Sequence, residues 1–358
     1  MIRVAFLQSD SLAVNIVLGL VAMAILVLSS DQAVKRFVGL ANYVHLSTTF
    51  MGMTVVSLAT SLPEISAHLT ASVGILRGTL DREIASAVVL GANIGSDVIQ
   101  QTFILGLVVF IAGSLYFRRY FMYKSVIPMI GTTVMCIVLG LDREYSRLDG
   151  LILFGTFIAY TYYLYRDERK HFKEPGAAAE EQADAPQTGR EALWWAFLAV
   201  AAMAFTVLSA QIVLHVTEFV VRATGIGGSL IGVVTLGVAS ALPEFTTAVS
   251  GVRNKEHGIP LGTLIGSNIT NPLVAIGGGA LVSTYWVPRP LVVWDLAWET
   301  LTGIILFALA WFGKGKLGRR EAIYLMVMYF VYLILRATFF SSDAYAPSTG
   351  LLPGLGLA

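Results

Sequence analysis

The sequence predicts an all-α, polytopic membrane protein of ten transmembrane helices in two inverted five-helix repeats, and three observations carry that expectation. First, 56% of the 358 residues are hydrophobic and 13% charged, with mean hydropathy +0.73. That leaves too little polar surface for a soluble domain, and several apolar runs reach the ~20 residues needed to cross a bilayer. Second, the chain repeats itself. SLPE at residues 61–64 returns as ALPE at 241–244, and one constant offset also carries Val27, Leu28, Ser29, Gly52 and Ala59 onto identical residues. The likeness resumes as GANIGSD at 91–97 and GSNITNP at 266–272, after five extra residues in the first copy. Third, each copy holds an odd number of spans, so the second enters the membrane from the opposite side, related to the first by a pseudo-two-fold axis in the membrane plane.

In chain order the expected spans are residues 11–30, 43–74, 84–113, 124–142, 148–165, 191–217, 226–252, 259–284, 291–312 and 320–340. The first follows only Arg3 and no small-residue cleavage pattern, so it reads as a retained helix and not as a removed signal. The second, third, seventh and eighth are longer than a simple crossing and contain Gly, Pro, Ser, Asn or acidic residues; these spans carry the motifs and are expected to be interrupted or tilted. Residues 1–165 form the first membrane repeat and 191–340 the second. Between them, residues 166–190 are polar and rich in Ala, Pro, Glu and Gln, a composition expected to form a disordered cytoplasmic linker. The tail, 341–358, holds too many Gly and Pro for another crossing and is assigned no structure.

Orientation follows from the basic residues. With the amino terminus outside, 16 of the 24 Lys and Arg, and every lysine, fall on the inner side, as the positive-inside rule requires. Both termini are then external. Tyr160, Tyr162, Tyr163, Tyr165, Trp194 and Trp195 mark the inner interface, and Trp286, Trp294 and Trp298 the outer one. A net charge of +1 gives no reason to expect a nucleic-acid partner, and the single Cys136 excludes an intramolecular disulfide framework or a cysteine-based metal cluster.

The chemistry sits at the two breaks. Pro63 and Pro243 have no amide hydrogen, so the carbonyls of Ala59 and Ala239, four residues earlier, lose their helical partners. Ser57, Thr60 and Ser61 in one copy and Thr235 and Ser240 in the other add uncharged oxygens. With Glu64 and Glu244 these make an all-oxygen donor set suited to a hard cation such as calcium, and nothing suited to a thiophilic metal. A proline kink or a satisfied packing carboxylate explains one copy alone. Two carboxylates at matching positions each cost about 2.5–3.5 kcal/mol at mid-membrane, which argues for function. The glycines of GANI and GSNI also read as close-packing residues, a role compatible with ion binding.

SLPE and ALPE, each followed by GANI or GSNI in an inverted pair, resemble the two alpha repeats of the cation/calcium antiporter superfamily, specifically its sodium/calcium exchanger branch. The likeness covers both halves and leaves out the linker, the five-residue insertion and the tail. It implies a plasma-membrane antiporter moving calcium against sodium by alternating access, with no cofactor beyond the transported ions. It further implies Glu64 and Glu244 as shared ligands, with Thr60, Ser61, Ser240, Ser267 and Asn271 around them and carbonyls near Ser57 and Gly237 completing the site. Several positions depart from the family pattern. Ala92 and Ala241 stand where related exchangers usually have serine. Ser96 and Asn271 occupy the positions commonly filled by an amide or a carboxylate, with a carboxylate displaced to Asp97. Asp97 shares a helix face with Asn93 and either points at the site or packs beside it.

Other classes fit less well. The five histidines form no repeated pairing with a serine nucleophile and no His/Glu metal motif, so a membrane-embedded hydrolase is not indicated. A receptor or structural protein has no need of duplicated buried carboxylates. A calcium/proton or other cation/proton antiporter is the closest alternative, because carboxylates at low dielectric take up protons readily. His68, one turn beyond Glu64 and matched by Ala248 in the second copy, is a candidate proton-sensitive element: protonated, it would oppose a divalent cation, so acid would inhibit transport. The other reading is that it only packs or hydrogen-bonds near the outer interface.

Overall fold

Backbone polar groups find no water in a bilayer, so a chain this apolar satisfies them internally, and helix dominates. A computed structural model describes residues 11–43, 57–171, 186–253 and 258–343. Its helices are α1 (Leu12–Tyr43), α2 (Ser57–Thr60), α3 (Leu62–Leu76), α4 (Arg82–Ala112), α5 (Arg119–Leu139), α6 (Arg147–His171) and α7 (Gly189–Thr224), followed by α8 (Gly228–Val234), α9 (Leu236–Ser240), α10 (Leu242–Arg253), α11 (residues 258–282), α12 (Leu291–Phe312) and α13 (Arg319–Phe339).

Among the described residues, seven helical runs are long and apolar enough to cross a membrane: Leu12–Ala33, α4, α5, α7, Gly228–Arg253, α12 and α13. The expected second, fifth and eighth spans are not among them. The second lies partly outside the described residues and is seen as the two short helices α2 and α3. The fifth, α6, runs on into the charged stretch and ends at His171, beyond the expected limit of residue 165. The eighth, α11, is divided by a π turn at Asn271–Ile276. Of the expected linker, residues 172–185 lie outside the described residues, while Thr188 accepts the Glu191 amide at 3.2 Å and caps α7.

The third, fourth, eighth and ninth expected spans each contain a π turn, at Gln100–Ile104, Met122–Val126, Asn271–Ile276 and Leu291–Asp295. Such turns break the regular ladder of backbone bonds and recur at functional sites. Two short antiparallel pairs join the halves. Strand β1 (Ser114–Tyr116) pairs with β4 (Lys316–Gly318), Leu115 opposite Leu317, and β2 (Glu144–Tyr145) pairs with β3 (Tyr285–Trp286), Tyr145 opposite Tyr285.

Helix α1 packs along α7, while α4 lies in the interior against α8 and α9. Small residues permit that approach. A methyl on Gly91 would fall 2.2 Å from the Ser229 carbonyl, and one on Gly232 would fall 2.3 Å from the Val88 carbonyl. The close-packing role expected of the GANI glycine is therefore real. Leu90, Ile94, Leu105, Leu264, Ile265 and Leu273 form part of the surrounding core.

Beside it lies a buried polar network. Arg336 Nε is 2.9 Å from Asp295 Oδ2, both side chains fully buried, and the Tyr332 hydroxyl donates to Asp295 at 2.6 Å. Arg336 also reaches the Ser229 hydroxyl at 2.5 Å, and Asp343 accepts from the Ser229 amide at 2.8 Å. The tail, to which the sequence assigned no structure, therefore begins with a docked segment: the Gly227 amide donates to the Ser341 carbonyl at 2.9 Å. Residues 344–358 lie outside the described residues.

Candidate functional site

Both breaks fall at the same place in their repeats. Helix α2 ends at Thr60 and α3 starts at Leu62; α9 ends at Ser240 and α10 starts at Leu242. The ladder resumes with Ile65 N to Ser61 O and Phe245 N to Ala241 O, each 3.0 Å. Glu64 and Glu244 thus sit in the first turn of a half-helix, where the unpaired amides favour negative charge. The prolines fit there without strain, since a missing N–H in the first turn forfeits no bond.

The two carboxyls are buried, Glu64 at 3% and Glu244 at 0% exposure. Ser96 Oγ donates to Glu64 Oε1 at 2.8 Å, and Ser267 Oγ donates to Glu244 Oε1 at 3.3 Å. Each acid also has a hydroxyl partner from the opposite half: Ser240 for Glu64 and Thr60 for Glu244. Thr60 Oγ1 lies 3.4 Å from Ser267 Oγ, closing the cross. A ring of amides surrounds it. Gln100 Nε2 donates to Ser96 Oγ at 3.0 Å and Asn268 Nδ2 to Gln100 Oε1 at 3.3 Å, while Asn93 Nδ2 reaches the Asn271 carbonyl at 3.4 Å.

Several oxygens remain without a protein donor: Glu64 Oε2, Glu244 Oε2, Ser61 Oγ and the side-chain carbonyls of Asn93, Asn268 and Asn271, all buried. No basic side chain is paired with either glutamate among the described residues, where the buried ion pair is Arg336 with Asp295. Nor do three side chains of His, Cys, Asp or Glu converge as a metal cluster among the described residues. An ion here would therefore meet two carboxylates and a shell of neutral oxygens.

The expected residues divide into groups. Glu64, Glu244, Thr60, Ser240, Ser267 and Ser96 come together. Ser61 is buried at the break with its hydroxyl unpartnered. Gly237 holds the opposite break close: its carbonyl accepts from Ser240 Oγ at 3.3 Å, and a methyl on it would fall 2.7 Å from the Ala92 carbonyl. Ser57 opens α2, and its side chain lies outside the described residues. Asp97 and Asn271 stand beside the cross and bond each other, Asn271 Nδ2 to Asp97 Oδ1 at 2.7 Å.

Ala92, at the position matching Ser267, offers Glu64 no hydroxyl, and Ser96, one turn further along α4, supplies it instead. Sequence reasoning passed over Gln100, and it passed over Asn93 and Asn268 although they are the shared asparagine of GANI and GSNI. It also passed over Glu299, a buried acid in α12 that lies outside the duplicated motif. His68 is buried, with Nδ1 3.2 Å from the Tyr285 hydroxyl, which itself lies 2.5 Å from Ser72 Oγ and donates to the His68 carbonyl at 2.9 Å. That arrangement fastens α3 to the β3 segment.

Known proteins resemble this chain. Inner membrane protein YrbG of Escherichia coli (strain K12) is 26% identical over 322 residues, covering 88% of this chain and 94% of that protein. Sodium/calcium exchanger MaX1 of Methanosarcina acetivorans is 25% identical, covering 90% of this chain and 99% of its own length. The crystal structure of an H+/Ca2+ exchanger, CAX, superposes with TM-score 0.73 at 17% identity, over 93% of this chain and 84% of that one, a likeness of fold. The family described as sodium/calcium exchanger protein matches residues 14–166 and 193–338, the two halves without the linker and tail. This chain therefore belongs to the sodium/calcium exchanger protein family, and is a membrane cation/calcium antiporter.

Proposed function

We propose that the protein exchanges calcium for sodium by alternating access at the cross of Glu64 and Glu244, with Thr60, Ser61, Ser240, Ser267, Ser96 and Asn271 as neutral donors and carbonyls near Ser57 and Gly237 completing the shell. One observation carries the reading: two buried carboxylates, one from each half, each keep an oxygen without a protein donor, and no base among the described residues neutralises them. The donor set is all oxygen, which suits calcium and sodium, and the sodium assignment draws on the family and on the MaX1 likeness.

The halves, residues 1–165 and 191–340, are read as inverted five-helix repeats joined by a cytoplasmic linker at 166–190, with both termini outside a plasma membrane. Strand pairing supports the inversion. Exchanging the halves turns β1 into β3 and β2 into β4, so the pair β1–β4 becomes β3–β2, which is the other pair present. The deciding experiment is calcium uptake into vesicles carrying the purified protein, under imposed sodium, proton and potassium gradients in turn. Uptake driven by outward sodium is expected; uptake driven by the proton gradient alone would replace sodium with proton as the counter-ion.

A further inference from the structure

Next to the cross lies a second pair of buried acids that the duplicated motif does not contain. Asp97 on α4 is 1% exposed and Glu299 on α12 is 3% exposed. Asp97 lies one turn before Gln101 on the face of α4 that meets α12 at Glu299. Gln101, one turn after Asp97 on α4, spans the gap between the helices: its Nε2 donates to the Glu299 carbonyl at 2.9 Å and to Thr302 Oγ1 at 2.8 Å. Thr133 from α5 donates to Glu299 Oε1 at 2.7 Å.

Two buried side-chain oxygens next to the pair have no partner. Gln101 Oε1 belongs to the amide that bridges to Glu299, and Asn271 Oδ1 to the amide that holds Asp97. An unbonded buried acceptor beside two carboxyls is costly, and it offers an oxygen to a bound ion. No basic side chain answers the pair among the described residues; the nearest buried guanidinium, on Arg336, is committed to Asp295, one turn before Glu299. The remaining ionisable neighbours, the Cys136 thiol and the Tyr145 phenol, carry no positive charge.

We infer that Asp97 and Glu299, with the side-chain carbonyls of Gln101 and Asn271 and the hydroxyls of Thr133 and Thr302, form a second binding site for a hard cation, adjoining the first through Asn271. The inference rests on reading the Glu64/Glu244 cross as a cation site and extends it. Two carboxylates and neutral oxygens favour an oxygen-seeking ion, sodium or calcium, over any thiophilic metal.

The test is equilibrium binding of radioactive calcium and, separately, radioactive sodium to the purified full chain in detergent. Wild type is expected to show two classes of site, with the ion that fills the second class identified by the arm in which it registers. Glu299→Gln should lose one class and keep the other, and Glu64→Gln should show the converse loss. If Glu299→Gln does not fold, Gln101→Met and Thr133→Val take its place and should weaken the same class at least tenfold. Identical binding by wild type and a folded Glu299→Gln overturns the second site while leaving the proposed exchange intact. A protonated-carboxyl infrared band removed by Glu299→Gln, with a single cation class in wild type, also overturns it, because a proton then occupies the pair. Absence of any cation binding to wild type overturns the proposed function itself.

Discussion

At the scale of single residues, the charges of Glu64 and Glu244 have no compensating base among the described residues, so their removal should be tolerated by the fold and fatal to the function. Glu64→Gln and Glu244→Gln each keep the volume and one oxygen. Both variants should insert and melt at or above the wild-type temperature, while calcium uptake falls to the level of empty vesicles; uptake at wild-type rate in either variant rules out the site. For His68 the geometry favours the packing role over the proton-sensing one, since its ring faces Tyr285 and not a carboxylate. His68→Ala should lower stability by about 2 kcal/mol, as lost packing and a lost buried bond do, and leave the pH profile of calcium transport superimposable on wild type. A profile that shifts with the substitution would restore the sensing role. The carboxylates were legible because they occur twice at one offset. Glu299 was not: a lone acid in an apolar span has no twin to mark it, and only the arrival of Gln101 and Thr133 from other helices gives it meaning.

Among the elements, the breaks were readable from proline, and their matching positions follow from the shared LPE. The π turns were legible in part: the third and eighth spans read as interrupted, and Pro272 lies within the turn of the eighth and Pro290 just before that of the ninth, where a missing amide hydrogen leaves a gap in the ladder. The strand pairs escaped notice, being two or three residues long and defined by partners some 140 to 200 positions away in the chain. Contact between α4 and the α8–α9 break depends on bare backbone. Gly237→Ala would press a methyl to 2.7 Å from the Ala92 carbonyl and 3.1 Å from the Ser96 amide, two immobile groups. Overpacking of this kind costs about 1–3 kcal/mol, so a lower melting temperature and slower exchange are expected together. Gly131→Ala in α5, where a methyl would meet nothing within 4 Å, serves as control. It should leave exchange unchanged and raise stability by up to about 1 kcal/mol, the usual gain of alanine over glycine inside a helix.

For the whole molecule, residues 176–185 have a polar, Ala/Glu/Gln-rich composition with little to bury, and deleting them should leave the transport rate unaltered; its loss in a normally inserted variant would assign that segment a gating role. Sidedness is checked with a cysteine placed at Gln187, since the native Cys136 is fully buried and contributes little background. A membrane-impermeant thiol reagent should label that position only from the cytoplasmic side, and labelling of intact cells would invert the topology. The Arg336–Asp295 pair bears on how the protein is made. Synthesis delivers Asp295 to the membrane well before Arg336, so for the time needed to add the last helix the nascent chain carries an acid with no counter-charge. Docking of α13 then neutralises both groups at once, because its own arginine is as costly to bury alone as the acid awaiting it. A chain that stops short of residue 336 keeps Asp295 without its counter-charge, which ties the stable packing of α12 to the arrival of α13.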